Sequence, residues 1–295
     1  MEDNLNREEK EYILKKTKEA YEDLKRLIST LHIAEREFDD CSKNAQQFIS
    51  ATHEQSIKYL KAYYMLSVNN RDEFFDTVLK GKDINPKTEL FITTLYATHS
   101  RAARTNLEVV TLLKNGLADG AYSRNRTLYE IALYLRVFNK YGFDAVLSFN
   151  QNAKNKWILE IPGVAKDFPL GKRNINLEYI KKICDGDGFE MDEWKEMYKN
   201  SNDLIHVNQT GTFSTKSTND EYFAHDGYSI HGIEETTCDS IRLLKICNDL
   251  FFESILKYIE LTNIEIIDTQ TLILLDNLFY EEYCKFSGER KQNKN

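Results

Sequence analysis

The sequence predicts an all-α protein, and three observations lead to that fold class. Only three prolines and twelve glycines occur in 295 residues, so the chain has few of the turns that a sheet protein needs. Apolar residues recur at helical spacing along much of its length. A hydrophobic content of 41% and a charged content of 29% are typical of a chain that buries a core, not of a disordered or membrane-embedded one.

The N-terminal part is predicted to be a helical arm. Residues 7–50 are expected to form one long helix or two shorter ones, because an apolar stripe runs among lysines and glutamates. That stripe consists of Ile13, Tyr21, Leu24, Leu27, Ile28 and Leu31. Another helix is expected over 51–69. The stretch "GKDINPKTEL" then interrupts the pattern, and Pro86 marks a helix start. We therefore predict an arm or hairpin at 1–80 and a helical bundle at 81–295.

The bundle is predicted to contain helices separated by short breaks and one long polar loop. Asn115-Gly116 is a C-cap signal between the first two helices, and the polar segment 207–232 is expected to be the loop. The predicted helices span 87–115, 118–141, 143–160, 176–184, 190–206, 233–262 and 265–287.

Charge and cysteine content limit the partners and the compartment. A net charge of −8 disfavours non-specific binding of nucleic acid by the whole surface, although a local basic groove stays compatible with it. The polar start "MEDNLNREEKEY" is unlike a signal peptide, and the apolar stretches are shorter than the ~20 residues of a membrane span. Five scattered cysteines without a C-x-x-C pair indicate reduced thiols, so we expect a cytoplasmic protein without a membrane partner, metal or cofactor.

The stretch "SRNRTLYEIALYLRVF" (123–138) places charged residues in a helix that is otherwise apolar. A helical wheel puts Arg124 with the apolar residues of one face, and Arg126 and Glu130 on the opposite face. Both faces carry apolar residues, which indicates a helix surrounded by neighbours. Arg126 and Glu130 are spaced i,i+4 and can contact each other. They form either a structural ion pair of the bundle or part of a functional site.

A second stretch, "MYKNSNDLIHVNQTGTF" (197–213), offers a histidine. Tyr198, Asn202 and His206 follow one side of the predicted helix at i, i+4 and i+8. His206 lies in the last turn, where the helix dipole favours the imidazolium and moves its pKa upward from ~6.5 toward neutrality. That protonation behaviour suits a general acid or base. The alternative is a capping histidine that binds the last carbonyl groups.

These two stretches together resemble a family of uncharacterised bacterial all-helical proteins. The shared patterns are R-x-R-T-L-[YH]-E and, further along the chain, Y-K-x-x-[SN]-x-x-[VI]-H-x-N, and the resemblance covers about 90–215. It implies a helical fold similar to HEPN domains, which occur in toxins and anti-phage defence. HEPN ribonucleases carry R-x(4–6)-H on one helix and cleave RNA without metal, usually at a dimer seam. Here Ser201 stands five residues before His206 and Lys199 is offset, so the strict motif is absent.

The resemblance leads to the hypothesis of a catalytic site shared by two helices. Arg126, oriented by Glu130, would supply the missing guanidinium, whose planar fork matches phosphate oxygens and would stabilise the phosphorane. His206 would transfer protons to and from the ribose and the leaving oxygen. Substrate-binding roles fall to Arg124 (alternatively structural or facing a second subunit), Tyr198, Asn202, Asn208, Lys172 and Arg173.

Two functions from different classes follow from this hypothesis. The first is a metal-independent endoribonuclease effector of bacterial anti-phage defence or of a toxin system, which acts as a homodimer on RNA. The second is a non-catalytic helical module that senses a ligand or docks a regulatory protein, with Arg126, Glu130 and His206 as a structural polar network. The missing on-helix arginine favours the second function, and the placement of His206 at a helix end favours the first.

Other motifs carry weaker signals. The segment 154–182, which includes Lys172 and Arg173, has an excess of basic residues and interleaved aromatic ones, typical of either a nucleic-acid groove or a solvated loop. The loop "HDGYSIHG" contains His225 and His231. These histidines either bind a metal or occur at this spacing by chance. The stretch "ATHSRAAR" is expected to place His99 and Arg104 on a helix surface, or else in the same pocket.

Overall fold

A computed structural model describes residues 7–76, 83–151, 161, 164, 180 and 232–293. Within these residues the chain forms helices and no strand, which confirms the predicted all-α class. The helices are α1 (Arg7–Ser29), α2 (Leu31–Thr52), α3 (Glu54–Phe74), α4 (Pro86–Lys114), α5 (Ala118–Gln151), α6 (Ile233–Tyr258) and α7 (Asn263–Asn293).

The chain divides into two compact units, Met1–Phe48 and Ile49–Asn295. This boundary differs from the one at residue 80 that the sequence analysis places between arm and bundle. In the first unit a break at Thr30 separates α1 from α2, so the segment forms two helices instead of one long helix. Large apolar side chains of this unit are exposed, among them Tyr12, Leu14, Tyr21, Leu24, Ile28, Leu31 and Ile33.

In the second unit, α5 packs against α4 and α6, and α4 also packs against α6. Helix α3 packs against α4, α6 and α7, so this part of the predicted arm belongs to the second unit. Because α5 has neighbours on both sides, apolar residues from both faces of its wheel are buried, as the sequence predicted. The core includes Leu95, Val109, Leu113, Leu128, Tyr129, Leu133, Phe138, Leu244 and Phe251.

The ends of α4 follow local turn chemistry. The Asn85 side chain accepts a hydrogen bond from the Thr88 backbone N–H at 3.0 Å, and Pro86 occupies the first turn, where its missing N–H is not needed. At the other end, Gly116 has φ 73°, a conformation that glycine adopts without a steric penalty. The predicted start at Pro86 and stop at Asn115-Gly116 are therefore confirmed.

Helix α5 is kinked at Gly142, where the sequence analysis separates two helices. Gly142 has φ 58° and ψ −132°, and the Tyr258 ring lies 2.5 Å from the position that a Cβ would occupy there. The Tyr258 hydroxyl donates to the carbonyl oxygens of Asn139 and Lys140 at 3.0 and 3.1 Å, which the helix leaves free at the kink. A side chain at position 142 would displace this ring.

The boundary between α6 and α7 differs from the predicted one. Helix α6 ends at Tyr258, four residues earlier than expected, because Ile259 is extended. Thr262 and Glu265 then form a reciprocal capping box. The Thr262 N–H donates to the Glu265 carboxylate at 2.7 Å, and the Glu265 N–H donates to the Thr262 hydroxyl at 3.4 Å. This T-x-x-E pattern fixes the start of α7.

Candidate functional site

Arg124 and Asn125, the first two residues of the arginine motif, lie in different environments. Asn125 is fully buried and donates to the Thr236 carbonyl at 3.2 Å, which joins α5 to α6. Arg124 is exposed and its Nε lies 3.2 Å from the Glu108 carboxylate on α4. The wheel groups Arg124 with residues that are buried, but its long side chain extends from that face into solvent.

Arg126 and Glu130 form the contact that their spacing predicts. The Arg126 Nε donates to Glu130 Oε1 at 3.1 Å, and the two side chains are 25% and 35% exposed. Since both retain access to solvent, the pair is neither a fully buried core bridge nor a freely mobile surface pair. A carboxylate on one edge of the guanidinium fixes its orientation. At 25% exposure the Arg126 side chain is also within reach of solvent.

A groove with a volume of about 600 Å³ lies between α4 and α5. Three arginines line it, Arg101 and Arg104 from α4 and Arg124 from α5, and Glu108 is the acidic group among the lining residues. The other lining residues are Tyr96, Ala97, Ser100, Thr105 and Thr127. The groove therefore combines an excess of positive charge with hydroxyl groups, in a chain whose net charge is −8.

The arginines of this groove differ in how their charge is neutralised. Arg124 shares its charge with Glu108. Arg101 and Arg104 are exposed, and neither guanidinium has an ion-pair or hydrogen-bond partner among the residues that the structure describes. Two charged forks one helical turn apart are thus open to an external anion.

One end of the groove is held rigidly by a buried arginine. Arg71 is 7% exposed. It donates to the Ser100 hydroxyl at 2.8 Å, pairs with Asp72 at 2.8 Å, and lies 4.4 Å from the centre of the Tyr96 ring. Tyr96 also donates to Asp72 at 3.2 Å. Ser100 and Tyr96 are therefore fixed in place before any ligand arrives.

Tyr134 is affected by one residue of the Arg126–Glu130 pair and by one arginine of the groove. Burial raises the pKa of the Tyr134 phenol, the nearby Glu130 charge raises it further, and Arg101 opposes both. Glu130 from α5 and Arg101 from α4 are therefore both within electrostatic reach of this side chain.

A second polar region lies inside the bundle around Asn248. The Asn248 amide nitrogen donates to Asp276 at 2.7 Å and to Ser67 at 2.9 Å, and its oxygen lies 2.8 Å from His99 Nε2. The Tyr63 hydroxyl donates to the second oxygen of Asp276 at 3.1 Å. Lys245 lies 3.4 Å from Asp276. These contacts join α3, α4, α6 and α7.

Burial sets the protonation states of this region. It lowers the pKa of His99 to about 4, so the ring is neutral near pH 7. Burial likewise raises the pKa of Asp276 to about 6, against the opposing effects of Lys245 and the hydrogen bonds. His99 is 1% exposed, which corrects the expectation that it lies on a helix surface. Arg104, five residues later, is exposed as expected.

Several predicted site residues lie outside the described part of the chain. They are Lys172, Arg173, Tyr198, Asn202, His206, Asn208, His225 and His231. The convergence of His206 with Arg126 therefore stays a prediction. Within the described residues no cluster of histidine, cysteine or acidic side chains has the composition of a metal site, and none of the described helices has the length and apolarity to cross a bilayer.

Residues 93–220 match a family of unknown function (DUF5677). The match begins in α4, includes α5 and extends beyond the described residues, and it agrees with the resemblance to an uncharacterised family over about 90–215. No curated protein and no solved structure matches the chain. The family description assigns no activity, so function has to be argued from the side chains.

The groove was not predicted from the sequence, although Arg104 was named as a residue of a helix surface or pocket. The signal was present in "SRAAR": Arg101 and Arg104 are spaced i,i+3 on a helix whose remaining positions are largely small or apolar. What the spacing cannot show is that Arg124, twenty residues later, faces the same space. The basic segment 154–182 was recognised as a possible nucleic-acid groove because its charges are closer together in sequence.

Proposed function

We propose that the protein is a metal-independent endoribonuclease, an effector of bacterial anti-phage defence or of a toxin system. In this proposal His206 is the general acid and base, and Arg126, oriented by Glu130, stabilises the phosphorane. The observation that carries it is the Arg126–Glu130 contact of 3.1 Å, with the guanidinium 25% exposed. An oriented, partly exposed arginine is the element that HEPN ribonucleases carry on the histidine helix and that this chain lacks there.

The neighbouring groove supports RNA as the substrate. A scissile phosphate at Arg126 would leave the adjoining phosphates of the strand near Arg101, Arg104 and Arg124. Basic grooves with hydroxyl and aromatic side chains are typical of surfaces that follow a nucleic-acid backbone. The net charge of −8 would confine RNA to this basic part of the surface.

Incubation of the purified full-length protein with total RNA in EDTA tests the proposal. We expect cleavage by the wild type and none by His206→Ala. Arg126→Lys should also be inactive, because lysine keeps the charge but loses the fork that binds phosphate through two bonds. Arg36→Lys, an exposed arginine of α2, is the matched control and should cleave like wild type.

Two results would reject the ribonuclease in favour of the alternative helical ligand-sensing or partner-docking module. One is intact RNA with the wild-type protein. The other is cleavage that persists in His206→Ala and therefore comes from a contaminant. In that alternative Arg126, Glu130 and His206 form a structural polar network, and the Arg126–Glu130 contact of 3.1 Å serves it equally.

We also propose that the protein is a homodimer in which the first unit pairs with that of a second copy. Leu14, Tyr21, Leu24 and Ile28 of α1 follow one another at intervals of seven, three and four residues, which puts them on one side of the helix as in a coiled-coil seam. Leu31 begins α2, and all five side chains are about half exposed. An isolated helix of this length gains little stability in water without a packed partner.

Light scattering at micromolar concentration tests the dimer. We expect a mass of twice 34.5 kDa for the wild type and the monomer mass for a Leu24→Lys, Ile28→Lys double variant. A wild-type protein that elutes only as the 34.5 kDa monomer contradicts the proposal. Arg36→Ala, which alters a charged residue of the same unit, should leave the mass unchanged.

A further inference from the structure

We propose that the groove between α4 and α5 is a binding site for a ligand that carries two neighbouring phosphoryl groups. The site consists of Arg101 and Arg104 on α4, Arg124 on α5, and the hydroxyl groups of Ser100 and Thr127. It is distinct from the proposed catalytic residues, and its occupation does not require that the protein cleaves RNA.

The first argument concerns available hydrogen-bond donors. A guanidinium presents five N–H groups in a fixed plane and binds an oxyanion through two parallel bonds. Arg101 and Arg104 have no ion-pair or hydrogen-bond partner within the described part of the chain. Their donors therefore face the groove without a protein acceptor to displace.

The second argument concerns charge. Three arginines and one glutamate leave an excess of two positive charges in the groove. A single phosphoryl group carries about −1.5 to −2 charge and three acceptor oxygens, which one or two arginines satisfy. Guanidiniums from two helices, with two of them one turn apart on α4, can serve a second, adjacent phosphoryl group.

The third argument concerns preorganisation. Arg71 fixes Ser100 through a 2.8 Å hydrogen bond and packs on Tyr96. Thr105, on the same helix as Ser100, is 4% exposed and is therefore enclosed by its neighbours. The floor of the groove is therefore rigid, and only the arginine side chains need to be ordered by a ligand. A rigid floor reduces the conformational entropy that binding would otherwise lose.

Glu108 makes the proposal sharper because it competes with the ligand. Its carboxylate lies 3.2 Å from the Arg124 Nε and occupies the donors that a phosphoryl group would use. Both side chains are about half exposed, so exchange of the carboxylate for a ligand requires no opening of the core. Removal of this charge should strengthen anion binding, whereas removal of any of the three arginines should weaken it.

Calorimetric titration of the full-length protein with pyrophosphate, and separately with inorganic phosphate, tests the site. We expect pyrophosphate to bind more tightly than phosphate, and Arg101→Ala and Arg104→Ala each to weaken pyrophosphate binding by about tenfold, the typical effect of lost charge-assisted hydrogen bonds. Glu108→Gln should tighten binding by a few-fold. Arg36→Ala, in the other compact unit, should bind like wild type.

Two further arms distinguish the source of the phosphoryl groups. ATP represents a free nucleotide. A single-stranded DNA oligonucleotide represents a nucleic-acid backbone, and it lacks the 2′-hydroxyl that cleavage requires. Tighter binding of ATP supports a small-molecule ligand, and tighter binding of the oligonucleotide supports a strand. Either result supports the site if Arg104→Ala abolishes most of the observed binding.

The proposal is overturned if pyrophosphate fails to bind, or if citrate, a carboxylate of comparable charge, binds more tightly. It is also overturned if folded Arg101→Ala and Arg104→Ala proteins bind pyrophosphate as wild type does. Failure of RNA cleavage with intact pyrophosphate binding would reject the proposed ribonuclease and leave this site standing. Cleavage without arginine-dependent binding would do the reverse.

Discussion

Helix α4 contributes to two polar regions that differ in what their side chains bind. His99 faces the interior, where it meets Asn248 and, through it, Asp276 and Tyr63. Arg101 and Arg104 are exposed and line the groove shared with α5. His99 and Arg101 are only two positions apart in the sequence. His99 nevertheless lies in the core and Arg101 at the surface.

The difference lies in how many hydrogen-bonding groups are already used. In the interior region the amide of Asn248, the carboxylate of Asp276 and the hydroxyl of Tyr63 bind each other, as buried polar groups must. In the groove, two guanidiniums have no acceptor among the described residues. Apart from His99 Nδ1, which has no hydrogen-bond partner within the described residues, the interior groups bind one another and stabilise one packing of the helices, whereas the exposed arginine donors of the groove are available to a ligand.

Substitution of Asp276 should have the largest effect on stability. Asp276→Ala removes an acceptor of Asn248, Tyr63 and Lys245. Lys245 keeps Asp249 and Asn248 keeps Ser67, but the Tyr63 hydroxyl and one Asn248 N–H lose this acceptor inside the bundle. We expect a loss of about 3–5 kcal/mol in the free energy of unfolding, measured by urea denaturation. Asp276→Asn keeps one acceptor oxygen and should lose less.

Asp268→Ala is the matched control, because Asp268 is exposed on the same helix. It should change the free energy of unfolding by no more than about 0.5 kcal/mol. Equal effects of the two alanine substitutions would mean that the interior network contributes no more than a surface charge, and the contrast between the two regions would not hold.

The pH dependence of stability should separate His99 from Asp276 within the interior region. The pKa of His99 falls from 6.5 to about 4 on folding, so the unfolded chain binds more protons between these values and stability rises with pH. The pKa of Asp276 rises from 3.8 to about 6, so the folded chain binds more protons and stability falls with pH. The two slopes oppose each other in the wild type.

Variants that remove one titrating group and keep part of its hydrogen bonding should reveal each slope alone. Relative to wild type, His99→Gln should lose stability as the pH rises from about 4 to 6, because the contribution of Asp276 is no longer opposed. Asp276→Asn should gain stability over the same range, because only His99 then contributes. Urea denaturation at both ends of the range measures this, and slopes of the same sign would contradict it.

Helix ends were predictable from the sequence because their signals are local. Pro86 follows the capping Asn85, Gly116 adopts positive φ, and Gly142 marks the kink in α5. The start of α7 was placed at residue 265 and lies at Asn263, although the T-x-x-E pattern of Thr262 was present. Turn chemistry of this kind acts within four residues and needs no tertiary structure.

The environments of polar residues were less predictable because partners lie far apart in sequence. His99 reaches Asn248 149 residues away, and no periodicity shows that such a partner exists. The Arg126–Glu130 contact was predictable from i,i+4 spacing alone. The exposure of Arg124 was not predictable, because a wheel assigns a direction to Cα–Cβ and not to the end of a long side chain.

The Arg126–Glu130 pair should have an intermediate effect. Since these side chains are 25% and 35% exposed, solvent screens their attraction, and Arg126→Ala should lower the free energy of unfolding by about 1 kcal/mol or less. Urea denaturation provides the measurement, with Arg36→Ala as control. A loss comparable to that of Asp276→Ala would assign the pair to the structural network instead of to an accessible site.

Arg104 should have the smallest effect on stability and the clearest dependence on ligand. Its side chain is exposed and has no ion-pair or hydrogen-bond partner within the described chain, so Arg104→Ala should change the free energy of unfolding by less than about 0.5 kcal/mol. Added pyrophosphate should raise the melting temperature of the wild type, because a ligand that binds only the folded state stabilises it by RT ln(1 + [L]/Kd). The rise should be much smaller in Arg104→Ala. In Asp268→Ala it should equal the rise of the wild type. Equal rises in all three proteins would place pyrophosphate elsewhere and remove the functional distinction between groove and interior.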